Sequence, residues 1–453
     1  MMETMLYSYL LLILFSYFSE KSVALQTHFE NVEPASKCKR FFTDPKNMPN
    51  STFEVFDMYG PCSPTAGTSP MKMPSPHDIL RLDQLRVKAL QARFKNDSRF
   101  QDTKEVENLP VEFSYTNHAI SIILGNPQQV QTFTFDTASG ITWTNGFHPF
   151  ASHSREIISC ASPLCSFYLP SHTCETFENF ENTCFFNIEY VDGTNVKGAI
   201  IIDTLTIPQT GHMFTFLFGC PTDVNSRFSP ETNGIGILGL GRGHISFMSQ
   251  TWGFYMGVFS YCFPSSPSST GFLKLGPIIS PNNVRFTPLI AIPNQPSLYF
   301  IKITSISVGD VELSINLFDF MYPGTMSIDT NTVVTRLPSN VYTTMRDEFR
   351  NHVEYYGYRT VPSPHYLLDT CYSDIQGFFV PTITFTFEGD VSVVMDSSST
   401  LFTMEDWEVS CLAFAGNSEH DQPSIFGNIQ QKKLEVVYDV ANGILGFSQN
   451  GCD

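Results

Sequence analysis

Phe133-Thr134-Phe135-Asp136-Thr137-Ala138-Ser139 decides the fold, because the chain repeats it as Met326-Ser327-Ile328-Asp329-Thr330-Asn331-Thr332. Both copies read apolar-x-apolar-Asp-Thr-x-hydroxyl, a strand of alternating faces running into a turn that opens on an aspartate. One such match is weak, since Asp and Thr favour turns in any protein. Here each copy is followed by an apolar-apolar-Gly element, Ile237-Leu238-Gly239 after the first and Ile425-Phe426-Gly427 after the second. Asp136 and Asp329 lie 193 residues apart, far too long for a stacked repeat and suited to a duplicated lobe. One lobe is expected over 110–280 and the other over 285–453.

The surroundings agree with strands. From about residue 110, short apolar, β-branched and aromatic runs alternate with turn residues: AISIIL, VQTFTF, AIIIDTLTI, MFTFLF, LYFIKITSISV, TITFTF and LEVVYDV. The clearest helical pattern in this part is Ser339 to His352. The expected fold class is therefore all-β, with two lobes about a central cleft. Of the 453 residues, 42% are hydrophobic and 15% charged, enough for a large core. A net charge of −18 with no long Lys/Arg run argues against nucleic acid or an anionic membrane as partner.

The N-terminal part reads differently. Residues 6–18, LYSYLLLILFSYF, have the length of a signal-peptide core, with the small residues Ser22 and Ala24 placed for cleavage after Ala24. No later run is long enough to span a bilayer. A signal peptide over 1–24 and a prosegment over 25–109 are expected. The stretch to about residue 74 is polar and contains prolines. Ser75-Pro76-His77-Asp78 then opens a basic amphipathic helix, with Ser75 as cap and apolar positions Ile79, Leu82, Leu85, Leu90 and Phe94. Its Lys and Arg residues are expected to offset the carboxylates of an acidic cleft. Eleven cysteines and the sequons at Asn50 and Asn96 suit export. No C-x-x-C or H-E-x-x-H occurs, so no metal site and no cofactor is expected.

Two aspartates facing each other across a lobe interface cannot both ionise easily, so they share one proton. The ionised member takes a proton from water and the protonated member polarises a carbonyl, which is general acid–base amide hydrolysis.

The chain resembles the pepsin-like aspartic proteases, and within them the plant nepenthesin-type group. The resemblance runs from residue 59 onward, through GPCSP (60–64), FDTASGITW (135–143), YVDGT (190–194), FGC (218–220), GILGLGRGHISFMSQ (236–250), FSYCFP (259–264), IDTNTVVTRLP (328–338), LDTCY (368–372), CLAFA (411–415) and IFGNIQQKKLEVVYDVANGILGF (425–447). It implies a bilobal pepsin-like fold and a secreted endopeptidase made as a zymogen. It implies a polypeptide substrate, action as a monomer, and residence in the apoplast, cell wall or vacuole. Asp136 and Asp329 match the catalytic pair. Thr137 and Thr330 match the threonines that tie the two loops together, and Ser139 and Thr332 the hydroxyls on the outer carboxylate oxygens. Tyr190 matches the flap tyrosine, and Trp143 the indole that steadies it.

The sequence departs from the family at the third position of each loop, where Ala138 and Asn331 stand in place of glycine. The cysteines usual after Trp143 are missing. The resemblance implies bridges Cys220–Cys452 and Cys371–Cys411, with Cys160–Cys165 and Cys174–Cys184 as plausible local pairs and Cys262 left over. The two lost glycines keep a second reading open: a catalytically silent binding protein on the same fold, like the plant inhibitors of microbial xylanases.

Overall fold

The computed structural model describes residues 38–43, 48–66, 71–94, 117–169, 172–189, 195–207, 210–225, 234–277, 283–293, 295–375, 377–449 and 451–452. The expected signal peptide and Tyr190 with its neighbours 191–194 lie outside the described residues, as does Asn96.

The segment ahead of the first lobe forms two elements. Strand β1 (Thr52–Asp57) has Phe53 and Val55 buried on one face and Phe56 on the other. Helix α1 (Pro76–Ala92) starts where the sequence predicts: the Ser75 hydroxyl accepts from the Asp78 amide at 3.1 Å, and Pro76 fills the first position. β1 is an inner strand. It pairs antiparallel with Thr270–Leu275 along its length and with β2 (His118–Leu124) at Phe56 and Asp57. The same sheet continues from Thr270–Leu275 through Val258–Cys262, Leu434–Asp439 and Ile444–Gln449 to Arg285–Pro288, so strands from both halves of the chain meet in it.

In the first lobe, β3 (Gln129–Asp136) pairs antiparallel with β2 and parallel with β4 (Ile235–Gly239), bringing Asp136 opposite Gly239. In the second, β5 (Thr325–Ile328) pairs parallel with β6 (Ser424–Phe426), bringing Ile328 opposite Phe426. Each apolar-apolar-Gly element of the sequence is thus the parallel neighbour of the strand that delivers an aspartate. The glycine is required by close approach: a Cβ on Gly239 would lie 2.5 Å from the Ile141 carbonyl oxygen, and one on Gly427 2.8 Å from that of Val333. The fold is all-β and two-lobed. Its longest helix beside α1 is α2 (Ser339–Tyr355), which buries Val341, Met345, Phe349 and Val353 against the second lobe. No helix of the described residues is long and apolar enough to cross a membrane.

The disulfides differ from expectation. Cys160 bonds Cys174, Cys165 bonds Cys184, and Cys262, not Cys220, bonds Cys452. Cys174 and Cys184 face each other across two strands, yet each is claimed by a cysteine of the segment 160–165 that folds over them. Cys220 lies buried on Met213–Asn225, paired to Ala199 inside the first lobe, whereas Val258–Cys262 adjoins Leu434–Asp439 and so meets the C-terminal end. Burial pushes the Cys220 thiol up to about 12. Cys371 and Cys411 are bridged, and so are Cys38 and Cys62 ahead of the lobes.

Candidate active site

The two loops meet at the floor between the lobes. The Thr137 amide donates to Thr330 Oγ1 at 3.1 Å and the Thr330 amide to Thr137 Oγ1 at 3.2 Å, a reciprocal cross-link between the copies. Thr330 Oγ1 also donates to the Phe135 carbonyl. From below, Gln431 Nε2 donates to the Asp329 carbonyl and Asn428 Nδ2 to that of Thr330, both at 3.0 Å. Backbone and side chain are therefore both pinned, and Asp136 and Asp329 are buried side by side.

The copies differ in how they hold their carboxylates. Asp329 Oδ2 accepts from the Thr332 amide at 2.8 Å and from its hydroxyl at 2.5 Å. Asp136 Oδ1 accepts from the Ala138 amide at 2.7 Å, but the Ser139 hydroxyl turns away and donates to the Ile141 carbonyl at 2.9 Å. The role implied for Ser139 is thus not seen here: one loop holds its carboxylate with an amide and a hydroxyl, the other with an amide only. Trp143 is buried in the first-lobe core, among Phe186, Leu217 and Ile237, and forms backbone bridges with Gly219 and Ile237.

Neither Ala138 nor Asn331 has a positive φ, so the missing glycines cost no backbone strain. Asn331 is buried. The Ala138 methyl sits in an apolar cluster with Leu298, Phe300 and Ile425, and with Val87 and Leu90 of α1.

Helix α1 occupies the cleft over this floor. Its Arg86 is fully buried and reaches both aspartates: Nε donates to Asp329 Oδ2 at 2.7 Å, Nη1 to Asp136 Oδ2 at 3.1 Å, and Nη2 to Asp136 Oδ1 at 2.9 Å and Asp329 Oδ1 at 2.6 Å. One nitrogen thus spans the two carboxylates as a single bridging water would. Burial works against the charge of Asp329, yet the Arg86 guanidinium, with the Thr332 hydroxyl and amide, holds its carboxyl below the usual range. A second cation, Arg93, is buried nearby, with Nη1 3.4 Å from the Ala138 carbonyl; burial pushes it down to about 10. One turn before Arg86, Asp83 is buried against Arg336 of the second lobe.

Sequence reasoning named the basic helix but none of Arg86, Asp83, Arg93 or Arg336. A signal existed. The buried positions Ile79, Leu80, Asp83, Arg86, Val87 and Leu90 form a helical stripe, and two charges interrupt it where it crosses the cleft.

The domain model described as Xylanase inhibitor N-terminal matches residues 118–277, and that described as Xylanase inhibitor C-terminal matches 298–449. An aspartyl protease family protein of Arabidopsis thaliana is 33% identical over 442 residues, 92% of this chain and 91% of its own length. Aspartic proteinase nepenthesin-2 of Nepenthes gracilis is 31% identical over 79% of this chain and 82% of its own. Among solved structures, soybean basic 7S globulin superposes with a TM-score of 0.60 at 19% identity, over 73% of this chain and 92% of that one, which speaks to the fold alone. With a match that runs nearly end to end and two Asp-Thr loops joined at the floor of one cleft, the chain belongs to the pepsin-like aspartic proteases of plants.

Proposed function

We propose that the chain is a secreted aspartic endopeptidase, made as a precursor whose own helix α1 closes the cleft. The observation that carries this reading is Arg86, a cation buried against both aspartates where substrate and water would otherwise sit. Once α1 leaves, Asp136 and Asp329 share one proton. The ionised carboxylate takes a proton from a water held between them. That water attacks the scissile carbonyl, whose oxygen accepts a hydrogen bond from the protonated carboxyl. The resulting tetrahedral species expels the amine, which leaves with a proton from the pair. Tyr190 closes over the substrate in this reading. Residues 1–24 act as the signal peptide and residues 25–109 as the removable prosegment, and the mature protein works in the apoplast, cell wall or vacuole.

The test is to acidify the purified full chain, add a denatured protein, and follow cleavage with and without pepstatin. Asp136→Asn and Asp329→Asn are each expected to reduce turnover by about 10³-fold or more, since an amide neither takes the proton from water nor shares it. N-terminal sequencing of the processed chain is expected to give a start near residue 110; a start near residue 25 counts against the prosegment.

A second reading is a binding protein that does not cut. It is favoured by the loss of both loop glycines and by the descriptions of the matching domain models. It requires that the acidified chain cleave nothing at any pH.

A further inference from the structure

We infer that Arg336 and the Val333 amide form a subsite for an acidic side chain of the bound polypeptide, which Asp83 fills while α1 covers the cleft. This rests on the peptidase reading above. Both oxygens of the Asp83 carboxylate are engaged: Oδ1 accepts from the Val333 amide at 2.6 Å and Oδ2 from Arg336 Nη2 at 2.7 Å. Asp83 and Arg336 are 0% and 2% exposed. Arg336 Nη1 donates to the Val334 carbonyl of its own segment, while Nη2 faces α1 alone, with Gln84 Oε1 at 3.4 Å as its other partner. The walls around this contact are apolar: Val333, Val334, Leu368 and Ile429, with Ile79 and Leu80 of α1 lying among them. His365, buried beside its ring partner His77, is held below its ordinary value by burial, with His77 and Arg336 adding to the shift.

Removal of α1 takes away the carboxylate that Arg336 meets. A cation in a dry wall without a partner is costly, and a charge-assisted pair with an incoming carboxylate restores what was lost. An amide side chain restores part of it and a lysine none. Position along the substrate follows from the helix. Three residues of helix advance about 4.5 Å from Asp83 to Arg86, and an extended chain rises about 3.3 Å per residue, so the subsite falls within about two residues of the bond cut.

Matched peptides carrying Asp, Asn, Lys or cysteic acid at each of the positions flanking the cleaved bond provide the test; cysteic acid keeps its charge at acidic pH. One position within two residues of that bond is expected to favour Asp or cysteic acid over Asn by about tenfold to a hundredfold in kcat/KM. Arg336→Met is expected to erase the preference and Arg336→Lys to keep part of it. Because Arg336→Met strands Asp83 in the precursor, it is also made together with Asp83→Asn, so that the folded chain can be assayed. Cleavage without acidic preference at any position, or a preference that survives Arg336→Met, overturns the subsite and leaves the peptidase reading standing. If no peptide is cut, the peptidase reading fails, and the subsite is read by displacement instead. A synthetic peptide of residues 76–94, added to the full chain, is expected to expose α1 to hydrogen exchange at about tenfold lower concentration than the same peptide with Asp83→Asn. Equal potency of the two peptides overturns the inference.

Discussion

Two carboxylate–guanidinium contacts lie one turn apart on α1, and they answer acid in opposite directions. At Arg86 the cation belongs to the helix and the anions to the cleft; at Asp83 the arrangement is reversed. The Asp329 carboxyl is held below its ordinary 3.8 because two of Arg86's nitrogens, the Thr332 hydroxyl and the Thr332 amide outweigh the cost of burial. The Asp83 carboxyl is raised above the same ordinary value because burial outweighs Arg336 and the Val333 amide. The signs follow. Stability that Asp329 lends to the docked helix is present above the ordinary carboxylate range and is lost as pH falls through its lowered value. Asp83 binds a proton more tightly docked than free, so acid favours docking through that group. In the proposed precursor, acid is therefore expected to open the cleft through Arg86 and the aspartate pair, with Asp83 resisting.

Arg86→Met is the strongest way to break the comparison. It leaves two buried carboxylates facing an apolar side chain, and removing one member of such a set costs about 3–5 kcal/mol. α1 is expected to exchange its amide hydrogens freely at neutral pH. The pH dependence is also expected to reverse, because protonating the pair then relieves its burial instead of breaking an ion pair. Hydrogen exchange of residues 79–92 from pH 7 down to pH 3 reads both effects. A helix as protected at neutral pH as in the unmodified chain shows that Arg86 is not what holds it.

Asp83→Asn has a smaller expected effect and a diagnostic shape. The amide oxygen still accepts from Val333, but its NH2 group turns donors toward Arg336 Nη2, where even a protonated carboxyl keeps an oxygen that accepts, a loss of about 1–3 kcal/mol. The pH of opening is expected to rise. The transition is expected to steepen, since the group that took up a proton in the docked state has been removed. An unchanged or shallower transition contradicts the sign assigned to Asp83.

What the sequence made legible was whatever its duplication repeated. The two loops, the cross-linked threonines and the glycines beside each aspartate all come in pairs, and the structure puts both copies of each in register. What it hid was whatever depends on a partner distant in the chain. β1 reads as part of a polar, Pro-containing stretch, but Thr270–Leu275 and β2 accept it as an inner strand and bury Phe53, Val55 and Phe56. Arg86 looks like any basic residue on a helix until Asp136 and Asp329 are brought beneath it. The bridge from Cys452 goes to Cys262 because of sheet order, which no spacing between cysteines encodes. Ser139 and Thr332 read as equivalents, and only the path of the chain to Ile141 turns one hydroxyl away.

Ala138→Gly sharpens the comparison with the smallest change, because it alters docking without touching a titrating group. The Ala138 methyl is buried in one apolar cluster with Val87 and Leu90 of α1 and with Leu298 and Ile425. Its backbone has no positive φ, so glycine relieves no strain there. The loss is one buried methyl, about 0.8 kcal/mol of apolar burial, with a few tenths more for the added freedom of glycine in the open state. The pH of opening is therefore expected to rise slightly with its steepness unchanged, unlike Asp83→Asn, which moves both. Once α1 has left, the same methyl borders the path of a substrate over the Asp136 loop, and its removal widens that path. Cleavage of small peptides is expected to change less than twofold if the methyl serves chiefly to seat α1. A rise of tenfold or more, with no shift in the pH of opening, shows instead that Ala138 hinders substrate and contributes nothing to holding the helix.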